Sequence, residues 1–67
     1  MNSDQTRETA IDIVLEAATW ARQRGLYWIE CNRRHFAAEL ERGARIEGHL
    51  LKATNERIRA RSRGVAE

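Results

Sequence analysis

The sequence predicts an all-α fold, a hairpin of two long helices joined by a tight turn. Three observations predict it. The 67 residues contain no proline, and helix-forming alanine, glutamate, arginine and leucine dominate. One strong helix-stop occurs, at Arg24-Gly25, about a third of the way along the chain. On either side of it, apolar residues recur at spacings of three and four.

The first helix is expected over about residues 5–24. Ser3 or Asp4 can cap it with a side-chain oxygen. Glu8 and Asp12 stand early and Arg22 and Arg24 late, as the helix dipole favours. Gly25 follows in the place where a left-handed residue ends a helix. At roughly 100° per residue, the run of Trp20, Ile13, Ala17, Ala10, Ala21, Val14, Ala18, Ile11 and Leu15 spans an arc of about 220°. A helix lying on one neighbour needs only about 100°. This helix therefore requires neighbours on two sides.

A turn is expected at residues 25–27, then a second helix over about residues 28–62 and a frayed end at 63–67. Its apolar seam runs Ile29, Phe36, Leu40, Gly43, Leu50 with Leu51, Thr54 and Ile58, with Arg33 and Glu47 on the same seam. Leu26–Cys31, rich in β-branched and aromatic residues, admits an extended reading, with Asn32 as a later cap. The helical reading is preferred because a lone strand in so small a chain has no partner. Gly43 and Gly48 each cost about 1 kcal/mol in a helix. A break there competes with an unbroken helix. The unbroken helix is preferred because Arg45, Ile46 and Glu47 are not turn formers.

Residues 1–67 thus make one helical hairpin domain, which offers one flanking helix where two are needed. A second copy is expected to supply the other, giving an antiparallel four-helix homodimer. The expected dimer interface is Ile11, Val14, Ala18, Phe36, Leu40, Gly43, Glu47 and Leu50, with Glu47 either at the surface or paired with Arg33 of the second copy. The architecture, without a shared residue motif, resembles the small hairpin dimers of plasmid copy control.

Composition bounds the chemistry. The polar start, Met1–Gln5, lacks the apolar core of a signal peptide, and no apolar run reaches the roughly 18 residues of a membrane span. A lone cysteine, Cys31, makes no internal disulfide, so a cytoplasmic protein is expected. Membrane binding is not expected either, since neither helix pairs a basic face with a clean apolar one. Cys31 and His35, four apart, share a helix face, but His49 lies about 21 Å further along, so no metal site is expected. No glycine-rich phosphate loop occurs, and Cys31–His35 has no orienting third group. No enzyme and no cofactor are expected.

Two binding functions remain. Charge is uneven: residues 1–31 carry three basic residues against five acidic, and residues 32–67 carry nine against five. Arg57, Arg59, Arg61 and Arg63 alternate around the helix, Arg57 and Arg61 on one side and Arg59 and Arg63 on the other. That suits a solvated helix end or a non-specific grip on a nucleic-acid backbone. Ala38–Ile46 around Gly43 admits a nucleic-acid-binding helix-turn-helix. However, His49 and Thr54 stand where such a unit wants aliphatics, and Glu47 and Glu56 repel phosphate. A nucleic-acid-binding regulator is the alternative.

The leading reading is a non-enzymatic protein that regulates or inhibits another protein by contact, of a kind small phage and mobile-element chains often are. The expected partner-binding residues are Tyr27, Trp28, Arg34 and His35. For Trp28 the competing reading is structural, a lid closing the bundle over Trp20.

Overall fold

The computed structural model describes residues 3–65. Three helices follow in order: α1 (Ser3–Gln23), α2 (Tyr27–Glu41) and α3 (Gly48–Val65). No strand occurs among the described residues. The frayed end expected at 63–67 is helical as far as Val65, and residues 66 and 67 lie outside the described residues.

The turn after α1 is the one the sequence predicts. Gly25 adopts φ 73°. Its N–H donates to the carbonyl of Arg22 at 3.1 Å, and the N–H of Leu26 donates to that of Ala21 at 2.9 Å. These two crossed bonds form a Schellman motif, which satisfies carbonyls that the helix end would leave bare. Helix α2 then starts directly at Tyr27, with no side-chain cap at Leu26. Leu26–Cys31 is therefore not extended, and Asn32 lies inside a helix.

The single helix expected over about 28–62 is corrected. It ends at Glu41, and the chain leaves helical geometry until Gly48. The cause is a second Schellman motif. Gly43, at φ 108°, donates to Leu40 at 3.1 Å, and Ala44 donates to Glu39 at 3.0 Å. The segment Arg42-Gly43-Ala44 repeats the chemistry of Arg24-Gly25-Leu26: arginine, a left-handed glycine, then an apolar residue that turns back to the core. Ala44 and Ile46 pack against the core, while Arg45 and Glu47 point to solvent, 4.0 Å from each other. Gly48, at φ 67°, opens α3.

Helix α1 is the centre of the molecule. Both α2 and α3 pack against it, and α2 and α3 do not pack against each other. This explains the wide apolar arc. The second flank comes from the same chain, because the break at Gly43 lets the last third of the sequence return to α1. The core is Ala10, Val14, Ala37 and Leu40, with Ile11, Leu15, Ala44, Ile46 and Leu50 packed on it. Ala18 and Ala21 are also fully buried. So many small side chains on α1 let its neighbours approach closely.

Three residues expected at a dimer interface, Val14, Ala18 and Leu40, are thus buried within one chain. Ile11 and Leu50 pack on the same core. Gly43 forms the turn, Glu47 is exposed on it, and Phe36 is about one-third exposed on α2. Glu47 lies beside Arg45.

One long-range polar contact fastens the turn. Arg7 Nη1 donates to the carbonyls of Leu40 at 2.7 Å and Ala44 at 2.8 Å. Leu40 stands in the last turn of α2, where the helix dipole is negative and favours a cation, and Ala44 lies in the turn just beyond it.

Candidate protein-binding face

The outer face of α2 is built by its first two turns. Tyr27 and Trp28 are 73% and 70% exposed, the most exposed large apolar side chains among the described residues. They follow the Schellman turn directly, so a hydrogen-bonded backbone holds both. At about 100° per residue, Tyr27, Trp28, Cys31, Arg34 and His35 occupy one arc of α2, opposite Ala37 and Leu40 in the core. The four residues expected to bind a partner therefore stand on one exposed surface.

Its charges are arranged locally. Arg34 reaches back one turn to Glu30 Oε2, with Nη2 at 3.0 Å and Nε at 3.1 Å. His35 Nε2 lies 3.8 Å from Glu39 Oε1, which also accepts from Arg42 Nη1 at 3.0 Å. Such exposed pairs contribute about 0.2–1 kcal/mol each. Their effect here is to hold the long side chains along the helix and leave the rings of Tyr27 and Trp28 uncovered.

The lid reading of Trp28 does not hold, because a lid would be buried. Trp20 is itself half exposed, and the group stacked on its ring is the guanidinium of Arg24, 4.6 Å from the centroid. This cation–π contact was not legible in the sequence, although Trp20 and Arg24 stand one helical turn apart, the spacing that permits it.

Two shallow grooves lie elsewhere. One, of about 390 Å³, runs along α1 and is lined by Asp12, Leu15, Glu16, Thr19, Trp20 and Gln23. The other, of about 370 Å³, lies on α3 between Leu51, Lys52, Glu56 and Arg59. The arginines of α3 separate as the spacing predicts. Arg57 turns to α1 and donates from Nη1 to Glu16 Oε2 at 2.6 Å, while Arg59 and Arg63 are exposed.

The Glu16–Arg57 bond is an ion pair that ties α3 to α1. The hydrogen bond from Arg57 holds the Glu16 carboxyl below its ordinary value of 4.5, partial desolvation opposes this, and the charges of Arg57 and Arg61 add to the lowering. A carboxyl lowered on folding gives stability that is fully present above its unfolded value and is lost as pH falls through the lowered one. Acidification below about pH 4.5 is thus expected to loosen α3 from α1 by up to about 1 kcal/mol. Amide exchange of α3, compared with Glu16→Gln at pH 6 and at pH 3, checks this. Equal acid sensitivity in both proteins would show that the pair contributes nothing.

The helix-turn-helix reading of Ala38–Ile46 meets a geometric obstacle. That motif joins its two helices by a turn of about three or four residues, whereas α2 ends at Glu41 and α3 begins only at Gly48. Cys31 is an exposed free thiol. Among the described residues no three His, Cys, Asp or Glu side chains gather as metal ligands, and no helix is long and apolar enough to cross a membrane. No family model, curated protein or solved structure matches the chain.

Proposed function

We propose that the chain is a small non-enzymatic binding protein that regulates or inhibits another protein by covering part of its surface with the outer face of α2. The supporting observation is the exposure of Tyr27 and Trp28 on the first turn of a helix fixed by a Schellman motif. Aromatic residues beside arginine are the commonest binding anchors, because a rigid ring buries much area for little lost entropy. Arg34 and His35 border the rings and give the face its polar edge.

Trp28→Ala is expected to weaken binding by at least about 2 kcal/mol, roughly thirtyfold, as anchor residues do. Its helical circular dichroism and melting temperature should stay close to those of the parent, since an exposed ring contributes little to the core. The measurement is affinity capture from the host cell under nuclease treatment, followed by titration of the purified partner. Retained affinity in a folded Trp28→Ala protein would end this reading. Steep loss of binding with salt, together with its loss in Arg59→Ala and Arg63→Ala, would favour a nucleic-acid ligand instead.

A homodimer belongs to the same reading. With α3 acting as the chain's own second flank, the antiparallel four-helix form needs α3 to leave α1, because Val14, Ala18 and Leu40 are otherwise enclosed. A second copy meeting the folded chain has outer surfaces to cover.

A further inference from the structure

We infer that two copies of the folded chain associate about a two-fold axis at Trp20 of α1. The argument is one of self-complementary charge. Along α1 and into the turn that ends it, Asp12, Glu16, Trp20 and Arg24 follow at intervals of four residues and continue one ridge of the surface. The ridge is acidic at one end and cationic at the other, with a half-exposed indole at its centre. Glu16 and Arg24 are equidistant from Trp20, about 6 Å to either side. A two-fold axis through Trp20 therefore sets each Glu16 opposite the other copy's Arg24 and brings the two indoles together. This is the condition for an isologous interface, in which one patch is its own partner.

Two features of the geometry prepare the patch. The groove of about 390 Å³ lies along this ridge, floored by Leu15 and Trp20 and edged by Asp12 and Glu16, so it offers an arginine both an apolar bed and a counter-charge. Arg24 is already held over Trp20 at 4.6 Å, and its backbone N–H is bonded to Ala21 at 3.1 Å. No carboxylate of the same chain lies within ion-pair reach of Arg24 among the described residues. Glu16 shares one oxygen with Arg57, yet its side chain is 60% exposed. A second copy supplies what Arg24 lacks. One helical ridge meeting its copy covers less than the roughly 800 Å² per partner of a stable interface. The dimer is accordingly a weak one, sensitive to salt.

This association is separate from the α2 face, and its test does not need the partner protein. Sedimentation equilibrium of the purified chain from tens to hundreds of micromolar should give a monomer–dimer equilibrium that weakens as salt rises. Arg24→Glu opposes two pairs of like charges across the axis and should weaken the dimer at least about tenfold. Glu16→Arg should do the same, by setting arginine against arginine. Mixed in equal amounts, the two variants regain complementary pairs at both sites, and the dimer should return to near parental affinity. Because Glu16→Arg also breaks the contact with Arg57, helical circular dichroism of each variant is measured first, and Trp20→Ala serves as a second disruption that leaves the charges in place. A parent that stays monomeric at hundreds of micromolar in low salt would overturn the inference. So would assemblies larger than two, or a mixture of folded variants that dimerises no better than either alone.

Discussion

Leu40→Ala is expected to abolish the cooperative thermal transition of the protein. Leu40 is fully buried and is the largest apolar side chain at the centre of the core. Removing a buried leucine costs about 2–5 kcal/mol, through lost transfer energy and the cavity left behind. A domain of 67 residues has a total stability of roughly 3–10 kcal/mol. Leu40 is the largest member of a cluster otherwise made of Ala10, Val14 and Ala37, so the loss removes much of the central apolar volume. The melt followed by circular dichroism should become broad and featureless. Phe36→Ala is the control, since Phe36 is about one-third exposed. A Leu40→Ala melt shifted by only a few degrees would mean that the core is held mainly elsewhere, as about 1 kcal/mol already moves the midpoint by 4–8 °C at this size.

Arg7→Met is expected to cost about 1–3 kcal/mol, with the loss concentrated at the Arg42–Glu47 turn. Arg7 Nη1 donates to two carbonyls, Leu40 and Ala44, at 2.7 and 2.8 Å. Leu40 stands in the last turn of α2, where the dipole is negative, and Ala44 in the turn that follows it. Bonds from a charged donor in a half-buried setting are worth about 1.5–3 kcal/mol. Methionine keeps the apolar stem and removes only the guanidinium. Urea unfolding should show a lower midpoint with an unchanged slope. Amide exchange of Ala44–Glu47 should accelerate more than that of the middle of α1. An unchanged midpoint would show that water replaces Arg7 without loss.

The sequence and the structure part company at identifiable residues. The first helix and its stop were legible because the charge gradient and Gly25 agreed, although the helix begins at Ser3, so that Ser3 and Asp4, expected as caps before residue 5, lie within it. The arc of α1 correctly called for two flanking helices, but an arc carries no information about which chain supplies them. Gly43 decided that question. Judged as a helix interior, it was a tolerable cost of about 1 kcal/mol. Judged by its neighbours, Arg42 and Ala44, it matched the stop already recognised at Gly25. Local pattern was the better guide there, and the continuing apolar spacing misled, because Leu50, Thr54 and Ile58 keep helical periodicity on either reading. The exposed face of α2 was legible from the position of Tyr27, Trp28, Arg34 and His35 off the apolar seam. Arg7 was not legible, since its acceptors stand 33 and 37 residues away and are backbone atoms.

Because α2 and α3 make no close backbone approach to each other, they are coupled through α1 and through the Arg42–Glu47 turn that Arg7 fastens. Opening of α3 is therefore expected as a unit of local unfolding, at the cost of uncovering the part of the α1–α2 core on which Leu50 packs. A ligand held on the outer face of α2 influences α3 only through α1 or through the Arg42–Glu47 turn. Substitutions on the solvent-facing sides of the two outer helices should accordingly combine additively, whereas changes in α1, in the turn or in the shared core should be felt by both.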